Sequence, residues 1–578
     1  MPLFFRNGFT KGLLAASLFL LCGIANAQTV PAGTPVIEDM YRRQQLLGKL
    51  DSSVSFTVRP LFPEAAFGLS DVFDPDKSFG QSGLQRVGDY KFAGDKGIVK
   101  ILPVTWVNQY NTHNPYGWND GAMIPAAGYQ TLFSAGIYAK YGFLSIQFRP
   151  EFLFAQNKAF DGFTQAGNDV NAWKAWYGVY NQVDAPERFG TSTYTRLLPG
   201  QSSIRITFDP VSFGLSTENL WWGPGVQNSL LMSNNARGFA HLTFNTTRPV
   251  NTPIGSFETQ VIAGRLNPSG FAPLVPGQDG NMDNLYRPKP NDWRYLSGFV
   301  FTYHPKWVPG LFLGATRAFQ VYHNDLGHKL GDYIPFFSSF LRDSFYDPVS
   351  GVVSEDAAKR DQLASVFMRW LWTGGNAEVY FEYGREDHNW DARDFLLDPE
   401  HSRAYTMGFR KIFGLDGRPD EQIQVGLETT QMAQPSDDVV NRKSGYWYAH
   451  SQVRAGYTNY GEVLGAGIGP GSGLQTLDVS WINGIKRIGL QIQRYEHNAD
   501  FYYKAFAAGE TRRHWVDYSG GISSDWDFDN ILVSASLLYV RELNYQWKFR
   551  NDEDVSYYNQ QSLDANNIKL SVSVTYRF

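Results

Sequence analysis

Apolar and polar residues alternate along much of the chain, most clearly in its last segment. From Ile568 to Phe578 the residues Ile, Leu, Val, Val, Tyr and Phe fall on one face, and Lys, Ser, Ser, Thr and Arg on the other. Successive side chains of a β-strand point to opposite faces, so the pattern predicts a strand. In a membrane barrel the apolar face would meet lipid and the polar face would line the lumen. A strand of a soluble β-sandwich is the alternative interpretation.

Similar runs recur upstream, for example Ile204–Asp209, Gln422–Glu428 and Ile531–Tyr539. Most have roughly the 9–11 residues that a tilted strand needs to cross a bilayer. We predict strands near 98–110, 129–140, 143–155, 203–210, 212–222, 239–248, 256–266, 294–303, 311–321, 362–373, 376–386, 401–413, 421–432, 474–483, 485–496, 514–525, 530–542 and 566–578.

The connections between these runs give the orientation, because outer-membrane barrels have short periplasmic turns and long external loops. Counted back from Phe578, the short connections Thr373–Gly375, Asn483–Gly484 and Trp526–Asp529 all fall on one side. The even count also suits a closed antiparallel barrel. The predicted fold is therefore an all-β transmembrane β-barrel of about eighteen antiparallel strands, preceded by a small N-terminal helical periplasmic segment.

The requirement for an even number of strands also decides whether two ambiguous stretches belong to the barrel wall. Counting Tyr446–Tyr457 as a strand would place the C-terminus outside the cell, so we expect 433–473 to be one long external loop that folds back into the mouth. Val54–Val58 is kept out of the wall for the same reason. In the N-terminal segment, Val36–Leu50 is predicted to be helical. Its expected apolar side comprises Ile37, Met40, Tyr41, Gln44 and Leu47.

The N-terminus has the organisation of an export signal. Arg6 and Lys11 precede the apolar run Leu13–Leu21, and the small residues Ala25–Ala27 follow it. This order predicts a secretory signal peptide cleaved after Ala27. A membrane-anchoring helix is the alternative, but the apolar run is too short for ~30 Å of hydrocarbon. The predicted domains are a signal peptide (1–27), a periplasmic plug (28–97) and an outer-membrane barrel with external loops folded over its mouth (98–578).

Composition narrows the class of protein. Aromatic residues make up 16% of the chain and charged residues 19%, which fits a barrel with aromatic girdles in contact with lipid. A net charge of −5 gives no basic surface for nucleic acid. The only cysteine, Cys22, lies in the signal peptide without a small residue just before it, so neither lipid anchoring nor disulfides are expected. The terminal Phe578 resembles the signal read by the barrel-assembly machinery, and we expect localisation in a Gram-negative outer membrane.

Three motif-dense runs lie where this topology places the external mouth. They are Glu218–Gly225 with Ser233–Phe239, Glu382–Trp390 with Pro399–Tyr405, and Gly456–Gly471. Neighbouring residues of a strand face opposite ways, so one of Trp221 and Trp222 is expected to meet lipid headgroups and the other to face inward. Glu382 and Glu386 are expected to point into the lumen.

In this order, between a signal peptide and a terminal Phe, the three runs resemble the Wzi family of capsule-assembly outer-membrane proteins. The resemblance extends from about Ser203 to Gly471, whereas the first ~100 residues carry no matching motif. It implies an eighteen-stranded barrel, a helical segment that blocks the inner end, and a lectin-like protein that holds capsular polysaccharide at the cell surface. Polysaccharide export proteins would be further partners of what we expect to be a monomer.

The residue types in these runs suit sugar recognition. Aromatic faces stack on pyranose rings, and charged or amide side chains bond hydroxyls. A purely structural role, in which the motifs close the barrel mouth, is the competing interpretation. The proposed polysaccharide ligands are Glu218, Trp221, Trp222, Arg237, Glu382, Arg385, Asp387, His388, Trp390, His401, Arg403, Tyr460 and Glu462.

Two other function classes remain open. A saccharide-permeable porin would have an open lumen, which a folded-back loop and a plug would close. A hydrolase would use carboxylates among Glu382, Glu386 and Asp387 with His388, since paired carboxylates cleave glycosides. His388 and His401 without a third ligand are a weak metal site. We therefore expect no enzyme activity, catalytic residue, metal or cofactor.

Overall fold

The structure is a computed structural model. It describes residues 28–69, 71–74, 89–94, 96–163, 170–273, 285–336, 345–346, 353–354, 359–386, 396, 400–436, 439, 446–506, 512–548 and 563–578. The predicted signal peptide, including Ala27, lies outside these residues, and so do the site candidates Asp387, His388 and Trp390.

Apart from three two-stranded pairings, the described strands form one closed antiparallel barrel, in which eighteen wall strands follow one another in chain order. The last strand pairs with the first, from Lys569 opposite Asn111 to Tyr576 opposite Val104. The predicted fold class and strand number are thus confirmed. The wall strands are β1 Gly97–Asn111, β2 Gly128–Tyr141, β3 Leu144–Phe148 with Glu151–Ala155, β4 Tyr194–Leu198 with Ser203–Phe208, β5 Val211–Ser216, β6 His241–Thr246 with Val250–Thr252, β7 Gly255–Leu266, β8 Arg294–Pro305, β9 Leu311–Tyr322, β10 Asp361–Trp372, β11 Ala377–Glu386, β12 Arg403–Leu415, β13 Arg418–Gln431, β14 Gly473–Asn483, β15 Lys486–Glu496, β16 Val516–Phe528, β17 Ile531–Leu543 and β18 Ala565–Tyr576.

The alternating pattern places apolar side chains on the outside of the wall. In β18 the outward residues Ile568 and Leu570 are exposed, whereas Asn567, on the lumen side of the same strand, is 1% exposed. Large aromatic side chains are exposed around the end of the barrel that carries the short turns, as expected for an interfacial girdle. They include Tyr141, Phe143, Trp307, Trp372, Phe413, Phe528 and Tyr576.

Three details of the wall differ from the prediction. The strand predicted at 212–222 ends at Ser216, and the chain then turns into the lumen. The strand predicted at 203–210 has an upper part, Tyr194–Leu198, beyond a break that contains Pro199 and Gly200. Asp89–Phe92, assigned to the plug, pairs with the lower end of β1, beside the part of β1 that β18 does not reach.

The helices lie inside or above the barrel. They are α1 Pro35–Leu46, α2 Pro63–Phe67, α3 Val170–Tyr180, α4 Leu330–Tyr333 and α5 Ala499–Phe506. None of the helices in the described part of the chain is both long and apolar enough to cross a membrane. Helix α1 begins with Pro35 in its first turn and is shorter than the predicted 36–50, because Leu47 already caps its C-terminus.

Helix α1 fills the lumen near the short-turn end, so polar residues are buried on it together with apolar ones. Arg42 Nε lies 2.8 Å from Glu378 Oε1 of β11, and Asp39 Oδ1 lies 2.9 Å from Arg410 Nη1 of β12. Glu378 also contacts Arg369 Nε of β10 at 2.6 Å. Buried charges need such partners, so this network fixes the helix against three wall strands.

Candidate functional site

The first motif lies inside the barrel and not at its external rim. Trp221 and Trp222 are 5% and 0% exposed, and they pair with Arg59 and Val58 of the N-terminal segment. Trp222 Nε1 donates to Gln260 Oε1 at 2.8 Å. The expectation that one of these Trp side chains meets lipid headgroups is therefore wrong, because the chain leaves the wall before reaching them.

Glu218 holds the start of this inward loop. Its Oε2 accepts from Arg205 Nη2 at 2.7 Å and from Ser216 Oγ at 2.9 Å, and its Oε1 accepts from Thr29 of the N-terminal segment. Burial acts to raise the pKa of Glu218, but the ion pair with Arg205 and these hydrogen bonds outweigh it and lower the pKa. Glu218 is thus a buried anion that joins three parts of the chain.

The second motif is partly buried. Glu382 is 0% exposed, and its Oε1 accepts from Ser365 Oγ at 2.7 Å. Arg385, His401 and Arg403 are half-buried near the external ends of β11 and β12. Arg403 Nη1 donates to the Ala433 carbonyl at 3.0 Å. Of this motif, only these three described candidates retain exposed surface.

The third motif folds into the upper lumen and contacts the first. Asn235 Nδ2 donates to the Val463 carbonyl at 3.0 Å, and Asn459 Nδ2 donates to the Arg237 carbonyl at 3.1 Å. The Arg237 guanidinium lies 3.1 Å from the centroid of the Tyr460 ring.

Glu462, of the same motif, is 8% exposed. Burial raises its pKa well above the usual range. A buried carboxyl of this kind favours its neutral form, so Glu462 offers no exposed charge to a ligand.

The three motifs therefore meet, but mostly inside the molecule. Tyr448 N donates to Glu386 Oε2 at 2.7 Å, and Tyr448 Oη donates to the Leu230 carbonyl at 2.7 Å. Tyr448 belongs to the long loop that carries the third motif, and Leu230 lies between the two runs of the first. The two hydrogen bonds therefore connect this loop to the second motif and to the chain beside the first. Burial favours the structural role over ligand binding for five of the predicted ligands, namely Glu218, Trp221, Trp222, Glu382 and Glu462.

The external end carries an aromatic cap that is built by elements outside the three motifs. Helices α3 and α5 pack against each other and against the turn Tyr545–Trp547. Trp176 lies 4.3 Å from Tyr180, and Phe501 lies 4.5 Å from Trp547, measured between ring centroids. The helical spacing of aromatic residues in Val170–Tyr180 was the available signal.

A pocket of about 250 Å³ opens in this cap. Trp176, Phe501 and Trp547 are buried in it, whereas Tyr180 and Trp515 are half-buried. Its other lining residues are Pro115, Phe160, Val179, Val183, Ala185, Glu187, Pro470, Asn498, Tyr545 and Gln546. Aromatic rings, a carboxyl and two amides are the groups with which proteins bind sugars.

Glu187 is the charged residue of the lining. Burial raises its pKa to about 7, although the backbone N–H of Phe163, which donates to Oε1 at 3.1 Å, acts in the opposite direction. Its Oε2 is buried and has no hydrogen-bond partner among the described residues. Glu187 therefore contributes an acceptor atom without a described partner to the lining of the pocket.

The described residues contain no group of three or more His, Cys, Asp or Glu side chains that could hold a metal ion. Glu382 and Glu386, two of the hydrolase candidates, both bind loop backbone in the interior.

A closed barrel with an apolar outer face, an aromatic girdle and a lumen occupied by its own chain defines an outer-membrane β-barrel. The family model described as capsule assembly protein Wzi matches residues 128–558, well over half of the sequence. The chain belongs to this family, as its motifs indicated. No curated protein matches the chain in sequence.

One of the solved structures similar to this chain supports the same fold. Wzi of Escherichia coli, described as an outer membrane protein involved in group 1 capsule assembly and a carbohydrate-binding β-barrel, is similar with a TM-score of 0.56 and 13% identity, covering 96% of this chain and 100% of that chain. OccAB2 of Acinetobacter baumannii gives a TM-score of 0.37 at 10% identity, over 84% of this chain and 98% of its own. A BenF-like porin from Pseudomonas fluorescens gives 0.34 at 9% identity, over 82% and 98%.

Proposed function

We propose that the external end of the barrel binds capsular polysaccharide without cleaving it, and thereby anchors the capsule at the cell surface. The aromatic cap carries this proposal, because half-buried rings such as Tyr180 and Trp515 surround a pocket at the end opposite the plug. Family membership and the description of Wzi of Escherichia coli as carbohydrate-binding support it.

Among the original candidates, five retain exposed surface and remain proposed ligands. They are Arg237, Arg385, His401, Arg403 and Tyr460. Asp387, His388 and Trp390 remain predictions from sequence. Each contact to sugar contributes about 1 kcal/mol, so a long polymer would be held by many weak sites acting together. The barrel-assembly machinery and polysaccharide export proteins remain predicted partners, and Phe578 remains the proposed assembly signal.

The test is binding of the organism's own purified capsule to the protein in detergent micelles, with reducing ends assayed in the same samples. We expect saturable binding and no release of reducing ends. In parallel, cells that lack the protein should shed capsule into the medium while making normal amounts of it. Absence of binding, or a steady release of reducing ends, would overturn the proposal.

A further inference from the structure

We infer that the pocket between α3, α5 and the turn Tyr545–Trp547 holds one uncharged sugar ring of the polymer and excludes uronic acids. The inference rests on the proposed function, because it names the class of sugar that the external end accepts. It also selects one pocket from the wider external surface.

The size and position of the pocket suit a single ring. Its volume of about 250 Å³ lies below the ~300–1,000 Å³ that is typical of drug-sized ligands, so it would take one small ring and not a chain of several. Phe160, Tyr180 and Trp515 are partly exposed and form its rim, whereas Trp176 and Trp547 are buried. A sugar unit can thus enter from outside while the rest of the polymer stays in solvent.

Two lining residues each carry a buried polar atom that has no partner among the described residues. Trp547 Nε1, whose side chain is 7% exposed, can only donate a hydrogen bond, and Glu187 Oε2 accepts one when ionised. Buried polar groups are otherwise almost always hydrogen-bonded. A sugar hydroxyl both donates and accepts, so hydroxyls of one ring can satisfy the two atoms, whereas a purely apolar ligand could satisfy neither.

The charge of the lining favours a neutral ring. Among the described lining residues Glu187 is the only charged side chain, and they include no lysine or arginine. The neighbouring cations Lys548, Arg513 and Lys289 contact lining residues but do not line the pocket themselves. Lys548 Nζ lies 5.6 Å from the centroid of the Tyr545 ring, and Arg513 Nε and Lys289 Nζ donate to the backbone carbonyls of Trp547 and Tyr180. A uronate carboxylate would therefore meet a like charge in a poorly solvated space, where repulsion is strong.

The backbone beside the pocket is held in an unusual conformation. Asn544, Gln546 and Trp547 have φ values of 51°, 56° and 54°, in the left-handed region that non-glycine residues rarely adopt. The Asn544 side chain fixes the turn by donating to the carbonyls of Arg512 and His514 at 2.7 and 2.9 Å. Such conformations cost energy and cluster at ligand sites, and this one positions Trp547 in the pocket.

The experiment measures how well small sugars compete with purified capsule for the intact protein at pH 8, where Glu187 is ionised. The protein is kept in a detergent without a sugar headgroup. The competitors are methyl glycosides of neutral hexoses and N-acetylhexosamines, and the sodium salts of methyl glucuronide and galacturonide. We expect at least one neutral glycoside to compete at least tenfold better than either uronide.

Three variants locate the effect in the pocket. Trp547→Phe keeps the ring but removes the donor, so binding of the competing glycoside should weaken about fivefold, as expected for one hydrogen bond. Trp173→Phe is the matched control, because Trp173 belongs to the same aromatic cluster but does not line the pocket, and it should bind like the wild type. Glu187→Gln removes the charge and should reduce the preference for neutral rings.

The outcomes separate this inference from the proposed function. If capsule binds but uronides compete as well as neutral glycosides, or Trp547→Phe behaves like Trp173→Phe, the inference fails and the proposed function stands. If capsule does not bind the wild type at all, both fail. Compact migration of each unheated variant in SDS gels verifies that the barrel is folded. If Trp547→Phe does not fold, the change in sugar preference of Glu187→Gln decides whether the inference holds.

Discussion

Arg205 and Glu218 form a fully buried ion pair, with 2.7 Å between Nη2 and Oε2 and exposures of 1% and 0%. Arg205 belongs to the barrel wall, whereas Glu218 begins the loop that turns into the lumen. The same carboxylate accepts from Thr29 of the N-terminal segment. This pair therefore holds wall, inward loop and plug together, and it explains why the first motif is rich in polar residues without being exposed.

Breaking this pair should destabilise the barrel. Glu218→Gln leaves Arg205 as a buried cation without an anion, which typically costs about 3–5 kcal/mol. We expect a lower temperature for the loss of compact migration in SDS gels. Asp209→Asn is the control, because the Asp209–Arg248 pair is partly exposed and such pairs contribute at most about 1 kcal/mol. Equal shifts in the two variants would contradict the assignment.

The orientation of the barrel predicts which connections are accessible on cells. An epitope inserted after His328, which is exposed on a long connection, should bind antibody on intact cells. An epitope after Gly484, in a short turn, should bind antibody only after the outer membrane is permeabilised. Labelling at Gly484 on intact cells would mean that the barrel is inverted.

The plug should keep conductance low. Purified protein in planar bilayers is expected to conduct little, and deletion of residues 28–69 should open a stable pore. The double variant Asp39→Asn, Arg42→Gln removes plug partners of Arg410 and Glu378 and should increase transient openings. Lys49→Gln, at an exposed position of the same segment, is the matched control. Large ohmic currents from the intact protein would instead favour the porin alternative.

Docking of α5 should weaken as pH rises. Burial raises the pKa of Asp500 to about 7, from an ordinary value of 3.8, while the Gln434 N–H, Lys504 and Arg403 act to lower it. A pKa that is raised in the folded state means that stability is greatest below about pH 4 and is lost as pH rises through 7.

The measurement is amide hydrogen exchange in 499–506 at pH 5 and pH 8, corrected for intrinsic rates. The wild type should be less protected at pH 8, and Asp500→Asn should show little change. Equal protection of the wild type at both values would refute the assignment.

The terminal residues should act separately in assembly and in plug docking. Deletion of Phe578 is expected to lower the amount of heat-modifiable barrel in the outer membrane. Arg577→Gln should keep the assembly signal, because it retains the aromatic end, but should lose the buried contacts of Arg577 with Asp527 of the barrel wall and with Asp74 in the N-terminal segment. Normal barrel levels without Phe578 would show that this aromatic residue is not the signal.

The barrel could be predicted from sequence because the bilayer imposes a rule on every strand. Each outward residue meets lipid, and each inward residue meets a polar lumen. The alternation of apolar and polar residues in Ile568–Phe578 and similar runs therefore predicts strands of the barrel wall. The part of β4 before the break at Pro199 and Gly200 was missed, since Tyr194–Leu198 is too short to show that pattern.

The candidate site was harder to predict, because its location depends on where the chain leaves the wall. Trp221 and Trp222 continue the sequence of β5 without an obvious stop, and β5 ends at Ser216 through contacts made by Glu218 and by the distant Val58–Arg59. The pocket joins α3 to α5 and Tyr545–Trp547, which lie hundreds of residues further along the chain than α3.

The sequence by itself determined the class of fold, the strand number and the membership of the capsule-assembly family, because alternation, turn lengths and motif order are local properties. Only the tertiary structure decided which aromatic residues are buried in the lumen and which surround an external pocket. The physical reason is that Trp222 and Trp547 are chemically equivalent in sequence, and their roles follow from long-range packing. Trp222 Nε1 donates to Gln260 inside the barrel, whereas Trp547 Nε1 is buried without a partner among the described residues.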